Sequence, residues 1–162
     1  MLREPEGRDR AGVIDLLASP EVGTYIGGAQ SRDALERAVP EVPNRRPGLF
    51  VVELDGEMIG TVSLDRREPE RPRHDGLSTE VALGYLFLPA AWGHGYAAEA
   101  SAAALDWFST ALPGEPVVLY TQTANSRSLR VAAKLGFAEV DRFEAYGAEQ
   151  WCGRWPSPTS TD

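Results

Sequence analysis

Residues 79–98 read Thr79-Glu80-Val81-Ala82-Leu83-Gly84-Tyr85-Leu86-Phe87-Leu88-Pro89-Ala90-Ala91-Trp92-Gly93-His94-Gly95-Tyr96-Ala97-Ala98. The run Thr79–Leu88 is expected to be a strand, and Pro89-Ala90-Ala91-Trp92 a turn. Gly93 and Gly95 then lead into a helix running to Leu112. Its residues Ser101, Ala104, Leu105, Phe108 and Leu112 fall on one face. A strand, a glycine-bearing turn and a helix N-terminus together make an anion site. The first N–H groups of a helix have no internal partner, and the helix dipole is positive there. This stretch is therefore expected to hold the phosphates of a cofactor, with the rest of the chain building a cleft beside it.

Working outward, residues 8–18 read as a helix with Val13, Ile14 and Leu17 on one face, ended by Ser19-Pro20. A short helical piece follows from Pro20 to Ile26, and Gly27-Gly28 breaks it. Ser31 can cap a third helix through Val39, and Glu41–Gly48 is a proline-bearing loop. Leu49–Leu54 and Met58–Leu64 form a hairpin, because Asp55-Gly56 accepts positive φ at both central turn positions. Arg66–Gly76 is a polar loop, either a solvated connection or else an acidic-partner contact or a mobile lid. Pro116–Thr123 is a strand, Asn125-Ser126 opens a helix to Leu135, and Gly136 stops it. Phe137–Glu144 and Glu149–Trp155 are two further strands joined at Tyr146-Gly147. Residues 1–155 are expected to form one domain and 156–162 a flexible tail. The element order implies an α/β (α+β) fold, with a mixed, mostly antiparallel sheet and one or two parallel crossovers in its second half.

The 162 residues carry a net charge of −8, with hydrophobic residues at 43%. Such a surface repels nucleic acid and anionic lipid. It suits an amine substrate, or serves solubility alone. Cys152 is the single cysteine, so no intrachain disulfide is available, and with only His74 and His94 besides, no metal-ligand cluster is expected. The charged N-terminus shows no apolar signal region, and Gly84, Pro89, Gly93 and Gly95 interrupt the longest uncharged run. A cytoplasmic protein is the default expectation.

Gly93-His94-Gly95-Tyr96-Ala97-Ala98 formally satisfies the dinucleotide pattern G-x-G-x-x-A. That pattern also needs an acid at the end of the next strand, where this chain has Tyr120-Thr121-Gln122-Thr123. A different likeness covers more residues. Trp92-Gly93-His94-Gly95-Tyr96-Ala97 resembles the acyl-CoA pyrophosphate loop of the GNAT superfamily of N-acetyltransferases, Gln/Arg-x-x-Gly-x-Gly/Ala. Gly95 and Ala97 match, and Trp92 at the Gln/Arg position resembles the branch with ribosomal-protein N-terminal acetyltransferases. Gly84-Tyr85-Leu86-Phe87-Leu88-Pro89 fits that branch too. So does Asn125-Ser126-Arg127-Ser128 followed by Lys134-Leu135-Gly136-Phe137. The resemblance spans roughly residues 49–155; ahead of the first helix only Leu2-Arg3-Glu4 remains for the family's first strand.

The resemblance implies a three-layer fold, with a twisted sheet of about six or seven strands flanked by helices. It implies acetyl-CoA as acyl donor, a primary amine as acceptor and no metal. The cofactor-binding residues are then expected to be Phe87, Leu88, Trp92, Gly93, His94, Gly95, Tyr96, Ala97, Ala98, Asn125, Ser128 and Arg130. Asn125 is equally a helix cap. Arg127, Arg130 and Lys134 share one helical face, which either meets CoA phosphates or is solvated. Backbone N–H groups near Phe87 and Leu88 would stabilise the oxyanion.

On the acceptor side Glu80, sharing a strand face with the small Ala82 and Gly84, is the candidate base; otherwise it is an exposed strand-end charge. Family members often carry an acidic tyrosine at the position of Ala132, and Ser128 matches a serine that related enzymes use on the thiolate. Tyr146 is a further unplaced acid. The alternative is a non-catalytic acyl-CoA-binding module. The last strands are also free to pair across a homodimer.

Overall fold

A computed structural model of the chain describes residues 1–69 and 79–156. The tail beyond Pro156, and the Arg66–Gly76 loop from residue 70 onward, lie outside the described residues. The sheet has seven strands in the order β1-β2-β3-β4-β5-β7-β6. These are β1 Leu2–Arg3, β2 Leu49–Leu54, β3 Glu57–Arg67, β4 Glu80–Phe87, β5 Val117–Gln122, β6 Ala138–Ala145 and β7 Ala148–Trp155. The helices are α1 Arg10–Ala18, α2 Pro20–Gly23, α3 Arg32–Ala38, α4 Tyr96–Ala111 and α5 Ser126–Leu135.

The hairpin expected at Asp55-Gly56 forms, with φ of 53° and 83° at those residues. Its return strand runs three residues beyond the expected Leu64, because Asp65, Arg66 and Arg67 find ladder partners in Ala82, Val81 and Glu80. The Tyr146-Gly147 turn has the same handedness, with φ of 54° and 77°. Ser31 caps α3 by accepting from Ala34 N–H, and Gly136 ends α5 at φ 91°.

The N-terminus does supply a first strand. Leu2 and Arg3 pair antiparallel with Val52 and Val51. Two residues make little sheet on their own, and an ion cluster holds them. Arg3 reaches Asp9 through both terminal nitrogens at 2.7 Å and Glu53 at 3.2 Å. Asp9 is 2% exposed and also accepts the Glu6 N–H at 2.7 Å.

Side chains alternate between two faces of the sheet. Val62, Leu64, Val81, Leu83, Val117 and Leu119 pack in one core with Ala104, Leu105 and Phe108 of α4. Leu112, expected on that helical face, is 43% exposed, since it follows the last residue of α4. The other face carries Val51, Thr61, Ser63, Gly84, Leu86 and Tyr120, and α1 packs across β3 there. On α1, Ile14 and Leu16 are buried, whereas the expected Val13 and Leu17 are half-buried and face a cleft.

One pairing shapes that cleft. β4 and β5 are the parallel neighbours, and they pair only at Val81↔Val117 and Ala82↔Val118. Beyond those rungs the strands part, although β4 runs on to Phe87 and β5 to Gln122. β5 instead keeps its ladder with β7, from Val117↔Trp155 to Gln122↔Gln150. The sheet is therefore split at its middle, on the C-terminal side of both strands.

Candidate active site

On the gap side β4 has no strand partner beyond Ala82. Leu88 N–H donates to Ile59 on β3 at 2.9 Å. In an antiparallel ladder alternate residues turn their peptide groups the other way, so the N–H groups of Tyr85 and Phe87 point into the gap. Phe87 therefore has the N–H expected to meet a thioester oxygen. Leu88 does not: its N–H is spent on β3, and its side chain is absent from the cleft lining.

Trp92 closes one end of the gap. Its indole N–H donates to the Phe87 carbonyl at 2.8 Å, and the Arg127 guanidinium lies 4.4 Å from the ring centroid. One side chain thus ties the end of β4, the glycine loop and α5 together. Gly93 and Gly95 follow at φ 83° and 80°. Gly95 is the N-cap of α4 and brings no side-chain cap, so the first N–H groups of a sixteen-residue helix face the cleft uncovered. A Cβ placed on Gly95 would meet only Lys134 Nζ, at 3.9 Å. The basic residues Arg127, Arg130 and Lys134 all line the cleft. The stripe on α5 therefore faces the loop, and an anion there meets both a helix N-terminus and side-chain cations. Tyr96, Ala97 and Ala98 line the cleft as expected, but His94 is exposed, lies outside the lining and stacks on Tyr96 at 5.4 Å.

Asn125 caps α5: its Oδ1 accepts the Ser128 N–H at 3.2 Å, which sets that helix start beside the gap. Ser128 is 9% exposed and its hydroxyl lies 2.6 Å from the Tyr85 hydroxyl. Both residues line the cleft. Burial raises the Tyr85 pKa above the usual tyrosine value, while the bond with Ser128 opposes that rise. Two hydroxyls from β4 and α5 therefore meet where Ala132, on the next turn of α5, has no hydroxyl to offer and is 1% exposed.

Glu80 sits on the opposite face, where β4 begins. It is not an exposed strand-end charge, being 4% exposed. The Tyr120 hydroxyl donates to its carboxylate, at 2.8 Å to one oxygen and 3.1 Å to the other, and Arg67 Nε is 3.8 Å away. Tyr120 lines the cleft but Glu80 does not, so among the described residues the phenol links the cleft to the carboxylate. Burial raises the Tyr120 pKa first, and the bonds and charges of Cys152 and Glu80 raise it further. Cys152 lies beside Tyr120 in the β5–β7 ladder, although the two are distant in sequence. Burial pushes its thiol up to about 11, so it is not a ready nucleophile. Tyr146 is 84% exposed on the β6–β7 turn and is not among the cleft-lining residues.

Comparison with known proteins agrees with this geometry. A family model described as an acetyltransferase (GNAT) domain matches residues 1–138. The chain belongs to the GNAT acetyltransferase family. Within it, the chain is 32% identical over 143 residues to the uncharacterized protein YkkB of Bacillus subtilis (strain 168), covering 83% of this chain and 79% of that protein. A GNAT-family acetyltransferase from Bacillus anthracis superposes with a TM-score of 0.73 at 19% identity, over 94% of this chain and 92% of that one. A spermidine N-acetyltransferase from Vibrio cholerae, solved with CoA and spermine, gives 0.68 at 22% identity over 95% and 92%. Both likenesses speak to the fold.

Sequence reasoning missed Tyr85 and Tyr120 as site residues. Each reads locally as an aromatic strand residue. Their partners lie 43 and 40 residues away, so no short-range signal marks them. No helix among the described residues is long and apolar enough to cross a membrane, and no group of metal-ligating side chains occurs among them.

Proposed function

We propose that this acetyltransferase moves the acetyl group of acetyl-CoA to a primary amine by direct attack within a ternary complex. The observation that carries the reading is the split between β4 and β5. It exposes the Phe87 N–H and opens directly onto the uncapped N-terminus of α4. The N–H groups after Gly95, with Arg130 and Lys134, bind the pyrophosphate. The pantetheine arm follows the free edge of β4 toward Phe87. As the amine nitrogen adds to the thioester carbon, charge grows on the carbonyl oxygen, and the Phe87 N–H stabilises it. The C–S bond then breaks, and the sulfur takes a proton from Ser128, which the Tyr85 hydroxyl replenishes. On the other face the amine gives its proton to Tyr120, whose own proton passes to Glu80. Glu80 is thus the base, acting through a phenol. The acceptor is a small-molecule amine or a protein N-terminus.

The test is CoA thiol release with purified protein across amine classes, N-terminal peptides included. Glu80→Gln is expected to lower kcat about 10²- to 10³-fold with acetyl-CoA affinity unchanged. Normal acetyl-CoA binding with no thiol release from any amine would sink the reading.

A further inference from the structure

The chain's charge of −8 suggests a polycationic acceptor, but the acceptor half of the cleft tells against one. That half lies between the α1–α3 layer and the sheet face bearing Gly84, Leu86 and Tyr120. Its walls are Val13, Leu17, Tyr25, Ile26, Leu49 and Leu86. Tyr25 and Ile26 form its lip, at 37% and 57% exposure. The lip is held in place, because Gln122 Nε2 on β5 donates to the Tyr25 carbonyl at 3.3 Å. Apolar side chains lining a cleft favour an apolar occupant.

Acids are scarce there. Among the described residues, Glu21 is the single carboxylate in the lining. Arg46 also lines it, but its guanidinium is engaged by Asp65 through two bonds of 2.8 Å. Glu80 is buried beneath Tyr120 and serves the reacting nitrogen alone. Apart from the exposed Glu21, the described residues of this half offer no carboxylate to a second ammonium group that loses water there. An apolar body gains instead, by about fourfold in affinity for each methylene buried.

We infer that the acceptor is a primary amine on an apolar body with no second positive charge. The inference rests on the acetyl-transfer reading above. The shared chemistry is met by a free alkyl or aryl amine and by a peptide N-terminus with an apolar first side chain.

A matched series tests it. Thiol release is measured with hexylamine, 1,6-diaminohexane and spermidine, and with peptides beginning in Leu or in Lys. The kcat/KM for hexylamine is expected to exceed that for diaminohexane at least tenfold, and the Leu peptide to exceed the Lys peptide. The better of hexylamine and the Leu peptide tells the two sources apart. Equal or better turnover of the diamine or spermidine overturns the inference.

Calorimetry of hexylamine and diaminohexane against CoA-saturated protein reads the same preference without chemistry. If hexylamine binds tighter but nothing turns over, the acetyl-transfer reading falls, and what stands is a cleft that selects an apolar monoamine as ligand. Equal or tighter diamine binding overturns it whatever the turnover. Ile26→Glu places a carboxylate at the exposed lip, where folding is undisturbed. It is expected to shrink the hexylamine-to-diamine ratio at least threefold. An unchanged ratio removes the lip from the acceptor path and overturns the assignment.

Discussion

Replacing Gly95 by alanine separates the cost of a strained backbone from the loss of an anion cradle. Gly95 holds φ at 80° as the N-cap of α4. An L-residue in that region costs about 1–2 kcal/mol. For a chain of this length that corresponds to a fall in Tm of roughly 2–4 °C per kcal/mol. The new Cβ meets no protein atom closer than Lys134 Nζ at 3.9 Å, so no clash adds to the strain. Acetyl-CoA affinity is expected to fall much further. The methyl group occupies the space where the main chain must approach phosphate oxygens, and each charge-assisted hydrogen bond lost is worth about 1.5–3 kcal/mol. Losing one such bond predicts a rise in Kd of about 10- to 150-fold, read by titration of the purified protein. Gly114→Ala is the control: φ there is 80° and no atom lies within 4 Å of its Cβ, but it follows the far end of α4. It should lose the same stability and keep full affinity. If Gly95→Ala loses stability like the control yet binds acetyl-CoA within threefold of wild type, the loop is not the pyrophosphate site.

Three further outcomes are expected. The Arg3 hydrogen bonds hold the Asp9 carboxyl below the usual carboxylate range, so its contribution is fully present above about pH 4 and is lost as pH falls through the lowered folded value. Asp9→Asn should therefore destabilise the protein by about 3 kcal/mol near neutrality and show a shallower acid limb in a pH series of Tm values. Ser128→Ala and Tyr85→Phe should each lower kcat about tenfold or more with little change in KM for acetyl-CoA, and the double variant should lose no more than the worse single; multiplicative losses would show that the two hydroxyls act separately. Cys152, at 5% exposure and with its pKa near 11, should resist alkylation at pH 8 in the folded protein and react on unfolding. Cys152→Ala should retain kcat within a few-fold, and complete loss with the fold intact would point to a covalent step.

What lay open in the sequence was local. Asp55-Gly56 and Tyr146-Gly147 accept the positive φ of their turns, Ser31 and Asn125 cap the helices they precede, and Gly136 ends α5. Each of these is decided by a backbone group satisfied within a few residues, so a short window suffices. The glycine loop and its helix were legible for the same reason, and with them the proposed phosphate end of the site. The tertiary structure alone decided the rest. The insertion of β7 between β5 and β6 follows from which strand covers β5, not from any turn. The two-residue β1 exists because Arg3 finds Asp9 and Glu53. The split of β4 from β5 leaves peptide groups open that the strand sequences would have paired. The hydroxyl pair of Tyr85 and Ser128, and the Tyr120 screen over Glu80, join residues some 40 positions apart. Such contacts depend on strand order and register, which only packing of the whole sheet sets.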